Sequence, residues 1–444
     1  MSVQKSLGVL LLVVVTSLYI FPFEFSFLPG YNTKMIMAGL GLVLFGVNMA
    51  RGEQRGHLDK GVFLLSLWAI LVSMAGLLSI TFNNTSDFSY ATYVISMWVW
   101  LGGAYFVTQM IKGVHGIISL PLLSHYLIAV CVAQCLIAFG MSQYHPLKTF
   151  VDGFLGSEGF MGKVEDRMYG IGASLDVGGM RFATVLIIIA YLCTCRSVQN
   201  GWAKVVAYAV AFCIISVIGN MIGRSTVIGM ALSFVYVLFI ALRHKNEYLS
   251  VNIKRLGLIF SFAALCFALV SVYYYHTNNS VRENLRFAFE GFFSLAEKGR
   301  WESHSNEILK NMYVFPDNFK TWLVGDGYFD NPYELDPYYV GPKWRGFYMA
   351  TDVGYLRFVF YFGLVGALSF IYYMYYAAKI LMKKHPQYSV LFFLILLINY
   401  IMWFKVASDL FPFFALFLCL GEEKQGEDEE SYPDLKLKLG RPCF

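Results

Sequence analysis

Charge is scarce in this sequence. Only 14% of its 444 residues are Asp, Glu, Lys or Arg, against about 25% in a soluble domain. Hydrophobic residues make up 57% and the mean hydropathy is +0.57. An ordinary soluble enzyme is excluded. The apolar residues come in continuous runs of about 20, long enough to cross a hydrocarbon core of about 30 Å. Polar–apolar alternation is missing, which excludes a transmembrane β-barrel.

Cysteine is missing where it would count. Cys131, Cys135, Cys193, Cys195, Cys213, Cys266 and Cys419 lie in apolar segments and Cys443 in the tail. The long polar segment 276–350 has none. No disulfide framework, zinc site or other metal site is expected, and no cofactor. There is no Walker loop or other nucleotide signature, so ATP-driven transport is not expected, and there is no internal repeat. The net charge of +5 fits cytoplasmic anchoring and gives no support to a nucleic-acid partner.

What is present is about twelve apolar spans: 7–28, 33–50, 61–82, 91–111, 116–141, 174–195, 203–222, 226–242, 256–275, 351–377, 387–404 and a short 410–421. The fold class is an all-α polytopic membrane protein. Leu7–Leu28 follows a lysine like a signal peptide, but it is too long and lacks a small-residue cleavage site. It reads as a retained first span. Basic residues mark one set of loops: Arg51, Arg55 and Lys60; Lys112; Arg196 and Lys204; Arg243, Lys245, Lys254 and Arg255; Lys379, Lys383 and Lys384. By the positive-inside rule these are cytoplasmic. The division is then 1–275 with nine spans and an external loop near 142–173, a large external loop 276–350, spans ten to twelve in 351–421, and an acidic cytoplasmic tail 422–444. Asn83-Asn84-Thr85 on the external side fits an N-glycosylation pattern.

Several arginines lie on the external side, against the charge rule. Arg167 and Arg181 flank Gly170, Gly172 and Asp176 where span six begins. Arg224 sits in a very short turn, Gly223-Arg224-Ser225-Thr226. The long loop carries Arg282, Arg286, Arg300, Glu302, His304 and Arg345. A single arginine can snorkel to lipid phosphates. The group together suits an anion such as phosphate or diphosphate, because guanidinium stays charged and offers a bidentate fork. The N–H groups of Ser225 and Thr226, opening the next helix, would add to an anion site or serve as a simple cap. Asp352, at the start of span ten, reads either as a helix N-terminal residue or as a general base facing an external cavity. Glu302 and His304 compete for that role. Gly325-Asp326-Gly327 reads as a turn.

Gly299-Arg300-Trp301, Gly325-Asp326-Gly327, Asp352-Val353-Gly354-Tyr355-Leu356 and Gly363-Leu364-Val365-Gly366 follow one another in an order that resembles the O-antigen polymerase and ligase superfamily (Wzy type). Gly223-Arg224-Ser225 resembles its Ser-Arg-Ser/Gly turn, and Arg167 to Asp176 resembles its arginine-glycine-aspartate block. The likeness covers roughly 160–370. It implies a GT-C-like glycosyltransferase that joins undecaprenyl-diphosphate-linked repeat units at the periplasmic face of a bacterial inner membrane. On that likeness Arg224 and Arg300 hold the diphosphate, Arg167 and Arg181 assist, and Asp352 is the base. Glu302, His304, Arg345 and Trp301 contact substrate. The implied partners are the lipid-linked glycan, membrane lipid and a chain-length regulator. Ligases of the family carry a His before the Asn or Asp of the loop-exit motif. Here Ala350-Thr351 precede Asp352, which favours a polymerase, while His304 keeps the ligase alternative. A flippase or transporter is the non-enzymatic alternative; it predicts broken helices and a two-fold repeat.

Overall fold

The computed structural model describes residues 3–52, 60–155, 167–195, 202–243, 247–336 and 338–421. Arg55, Arg196, Lys245 and the acidic stretch 422–444 lie outside them. The described residues are helical, with isolated β-bridges Glu24–Asn32 and Phe25–Leu155 in place of any sheet. The first half comprises α1 (Val3–Ile20), α2 (Thr33–Ala50), α3 (Lys60–Asn83), α4 (Tyr93–His115), α5 (Leu120–Gln143), α6 (His145–Phe154), α7 (Leu175–Thr194), α8 (Trp202–Ile222) and α9 (Thr226–Arg243). Then α10 (Glu247–Thr277) leads into the long polar segment, which holds α11 (Asn279–Ala288), α12 (Glu290–Lys298), α13 (His304–Asn311), α14 (Phe319–Val324) and α15 (Pro332–Leu335). The chain ends in α16 (Gly354–Lys384), α17 (Ser389–Met402) and α18 (Phe411–Leu418).

Eight of these helices are long and apolar enough to cross a membrane: α2, α3, α4, α5, α7, α8, the Gly257–Thr277 part of α10, and α16. Shorter apolar helices span Ser6–Ile20, Thr226–Leu242 and Pro386–Met402. The molecule is a multi-pass helical membrane protein. The expected first span, 7–28, stops at Ile20 because Pro22 follows: the residue before a proline is pushed out of the helical region, and proline itself cannot donate. The expected last span shrinks to eight residues, all buried. Residues 276–350 are not an open loop but a run of short helices.

Glycine permits the closest helix contacts. A Cβ on Gly41 would overlap the Gly102 backbone, joining α2 to α4, and one on Gly229 would overlap Ala183, joining α9 to α7. Small residues are what let helices approach in a bilayer.

The long segment is tied into the membrane part at a break in α16. Phe362 and Gly363 leave the helical region there, with Gly363 at φ +68. Two carbonyls at the break, those of Phe360 and Tyr361, find partners outside the helix. The Asp326 N–H donates to the Phe360 carbonyl at 2.5 Å, and the Gly327 N–H to the Tyr361 carbonyl at 3.1 Å. The Ser79 hydroxyl from α3 donates to the Tyr361 carbonyl as well, at 2.6 Å. Non-helical backbone at membrane depth is tolerated when protein supplies the lost partners. The Gly325-Asp326-Gly327 turn is therefore a plug for a broken helix. Gly325 (φ +83) has no room for a Cβ against Tyr361. A second tie is Arg357 of α16. It is 5% exposed, lies between the rings of Phe329 and Phe347 at 3.7 and 3.5 Å, and pairs with Asp330 at 2.8 Å.

Candidate functional site

The start of α7, the α8–α9 turn and the connections flanking α16 and α17 enclose, with the long segment, a cleft of about 160 Å³. Arg167, Asp176, Gly223, Arg224, Phe287, Ser305, Met312, Asp352 and Lys405 are among its lining residues. The floor comes from the chain before α7, the α8–α9 turn, the start of α16 and the α17–α18 connection. The roof is α11 and α13. Arg167, Arg224 and Asp352, expected to converge, do so. Arg300 does not.

Close backbone approach builds the floor. A Cβ on Gly179 would meet Ser225 and Gly223, and one on Gly223 would meet the Leu175 carbonyl. The α8–α9 turn can thus lie against the first turn of α7, where the Ser225 hydroxyl donates to the Asp176 carbonyl at 3.2 Å. Arg224 is thereby aimed at the roof. It pairs with Glu290 at 2.6 Å and donates to the hydroxyls of Ser305 and Ser303 at 3.0 and 3.3 Å. Its guanidinium lies 3.8 Å from the Phe287 ring centroid, and that of Arg167 lies 5.1 Å from the same ring. Both cations meet one aromatic face system, which suits cation–π attraction. Arg167 has no hydrogen bond or ion pair among the described residues. The roof helix is held down by Asn220, whose amide donates to the Ala288 carbonyl at 2.9 Å.

Lys405 is a third cation, paired with Asp176 at 2.6 Å. Against these stands Asp352. It was expected either to cap α16 or to face a cavity. It makes no cap: Val353 is the N-cap residue, and its N–H donates to the Thr351 hydroxyl at 3.2 Å. The Asp352 carboxylate has no hydrogen bond or ion pair among the described residues. Burial pushes its pKa above the usual aspartate range, Arg357 and Lys405 acting against the shift and Asp176 with it. Glu290 moves the other way. Burial raises it, but the His304 N–H, the Ser303 hydroxyl and the Arg224 charge together hold it below the usual range.

The chain matches no family model, no curated protein and no solved structure.

The remaining expected site residues lie elsewhere. Arg300 is 73% exposed at its side chain and pairs with Glu302 at 2.6 Å. Glu302 also pairs with Lys298 at 2.7 Å. These carboxylate bonds point along the outside of α12 because Gly299 (φ +70) turns the chain at the helix end. Trp301 packs edge-on against Phe292. His304 is exposed at the first position of α13 and contributes its backbone N–H to Glu290. Arg345 is exposed, with no hydrogen bond or ion pair among the described residues. Arg181 is buried in α7 on a different face from Asp176. The Thr226 N–H, expected to face an anion, donates to the Gly223 carbonyl at 3.0 Å. Tyr328, Tyr339, Trp344 and Tyr348 pack on one another.

Lys405, Glu290 and Phe287 were not foreseen. A signal existed for Lys405: Lys405-Val406-Ala407-Ser408-Asp409 is a charged break between two strongly apolar runs. Glu290 carried no signal, since it is one of several acids in the polar segment.

Proposed function

We propose that the protein is a glycosyltransferase that polymerises undecaprenyl-diphosphate-linked oligosaccharide units at the periplasmic face of a bacterial inner membrane. The observation that carries this is the cleft, where Arg167, Arg224 and Lys405 surround an unpaired, partly buried Asp352. The twelve-span, GT-C-like architecture belongs to the same proposal, with the three shorter apolar helices and α18 completing the count.

The chemistry follows from the charges. A hydroxyl oxygen of the acceptor sugar attacks the anomeric carbon of the donor. The bond from that carbon to the diphosphate oxygen breaks, and the diphosphate leaves with the electron pair. Arg224 and Arg167, already fixed against Phe287, stabilise the negative charge that develops there. The hydroxyl proton goes to Asp352, whose raised pKa makes it a better base than an exposed aspartate. Arg300 lies outside this cleft, exposed and paired with Glu302.

The broken α16 is the one feature a transporter would share. The Phe360 and Tyr361 carbonyls at its break are taken by Ser79, Asp326 and Gly327 and so do not face a passage. The test is genetic. After deletion in the host, surface glycan reduced to single attached repeat units supports the polymerase. Loss of all attached glycan, with long lipid-linked chains accumulating, supports the ligase. Unchanged surface glycan overturns both.

A further inference from the structure

The short helix α14 (Phe319–Val324) has two unlike sides. On one, Lys320 Nζ and the Thr321 hydroxyl donate to the Asp326 carboxylate at 2.8 and 2.7 Å. These bonds tie α14 to the turn that plugs α16. On the other, Phe319 and Leu323 stand one helical turn apart and so share a side. They are 79% and 45% exposed. Trp322, beside them, stacks with Phe315 at 6.5 Å, and its indole N–H is already engaged by the Pro316 carbonyl at 2.9 Å. Phe315 is exposed as well. Phe315, Phe319, Trp322 and Leu323 thus form an apolar edge whose one polar side-chain group has its partner inside the protein.

Three contacts fix the level of this edge. A Cβ on Gly363 would strike the Leu323 carbonyl and the Val324 nitrogen, so the end of α14 lies directly against the break in α16. The Gly325 carbonyl, one residue past α14, accepts from the Asn83 amide at 3.1 Å. The Gly327 carbonyl accepts from the Thr85 hydroxyl at 2.9 Å. Asn83 is the last residue of α3, which is long and apolar enough to cross the hydrocarbon core. α14 therefore ends where a spanning helix ends, at the boundary between hydrocarbon and water. Both helices it meets there carry uncovered apolar side chains: Leu78 and Phe82 in the last turns of α3, and Leu364, Val365 and Leu368 just past the break in α16. On a spanning helix such side chains face lipid.

We propose that α14 is an interfacial anchor, whose Phe315, Phe319 and Leu323 edge is seated among the headgroups and upper acyl chains of the leaflet in which α3 ends. The partner is phospholipid. Aromatic side chains gather at this depth, and a helix with one apolar and one polar side places the apolar one in the interface. A partner protein would have to meet this edge where the spans leave the membrane, against surface that lipid already covers. The same six residues thus seal the broken α16 with one side and rest on the bilayer with the other. This anchoring is independent of the transfer reaction in the cleft.

The test uses full-length protein with its native cysteines replaced, in phosphatidylcholine vesicles. A bimane label is attached through Phe319→Cys, Leu323→Cys, Leu368→Cys or Glu307→Cys, all exposed positions at which a label leaves the fold intact. The vesicles carry phosphatidylcholine spin-labelled either at the headgroup or at mid-chain. The Phe319→Cys and Leu323→Cys labels should lose most of their emission to the headgroup spin label and less to the mid-chain one. Leu368 lies about 7.5 Å further along α16 than Gly363, at 1.5 Å per residue, and its label should be quenched more by the mid-chain spin label. The Glu307→Cys label on α13 should keep its emission with both. If the Phe319→Cys and Leu323→Cys labels behave like that of Glu307→Cys, α14 stands in water and the proposal fails. If neither lipid quenches them and unlabelled Phe319→Cys forms disulfide-linked dimers on mild oxidation, the edge is an interface between copies and the proposal fails as well.

Discussion

At the residue scale, the cleft separates groups that the sequence made look alike. Arg167, Arg224 and Arg300 are all arginines on one side of a membrane protein, and only the first two line the cleft. Removing one pre-aligned cation from a site where charge develops costs about 10²–10³ in rate. Arg224→Ala should lose about that much chain growth with protein abundance unchanged, whereas Arg300→Ala should stay within about threefold, since its exposed pair with Glu302 is the kind worth ~1 kcal/mol or less. Chain-length gels from the two strains check this; equal loss in both would return Arg300 to the site. Asp352 gives a pH prediction. Its native pKa lies above the ordinary value, so the native protein holds this proton to higher pH than the unfolded chain does. Stability contributed by Asp352 therefore falls as pH rises from the ordinary aspartate value through the raised one. Asp352→Asn should melt at the same or a higher temperature at neutral pH while transfer drops about 10²–10⁴-fold. Wild-type transfer should fail on acidification at a pH above the ordinary aspartate range. Glu290, held below its ordinary value, has the opposite sign: its contribution is present above that value and is lost on acidification.

At the scale of elements, the long polar segment was legible as a unit, but not as a set of helices. In α11 the buried positions Val281, Leu285 and Ala288 share one face, and such a run is too brief to stand out among longer spans. The Gly325-Asp326-Gly327 turn was legible from glycine chemistry. Its partner was not, because nothing in Tyr361-Phe362-Gly363 distinguishes a broken helix from a continuous one before a donor is placed beside it. Gly363 and Gly325 both need positive φ, and a Cβ on either would strike backbone of the opposing element. Gly363→Ala and Gly325→Ala should each cost roughly 1–3 kcal/mol from backbone strain alone, read as a lower melting temperature in detergent. Wild-type melting in both would mean that the plug is not needed. Lys405 escaped notice for a related reason: the gap between α17 and α18 is short enough to pass as a fray between spans.

At the scale of the whole molecule, one end carries the basic loop residues, and the other holds the cleft and the folded segment. The alternation of Lys and Arg gave that polarity without any structure. In a background with its own cysteines replaced, Arg345→Cys should react with a membrane-impermeant thiol reagent in intact cells, and Lys112→Cys only after permeabilisation. The reverse pattern would invert the topology. The two ties described above have a further consequence for how a substrate arrives. The turn at Gly325–Gly327 and the clasp of Arg357 on Asp330 pin the later half of the segment to α16, and Asn220 pins α11 to α8. The segment is thus held at both its earlier and its later half. On the proposed function, a substrate whose tail stays in the bilayer enters from the side. Of the eight long apolar helices α10 is the least enclosed: its Gly257–Thr277 stretch has no buried residue, and it leaves an apolar furrow of about 490 Å³ against α8, lined by Val210, Phe262 and Phe267.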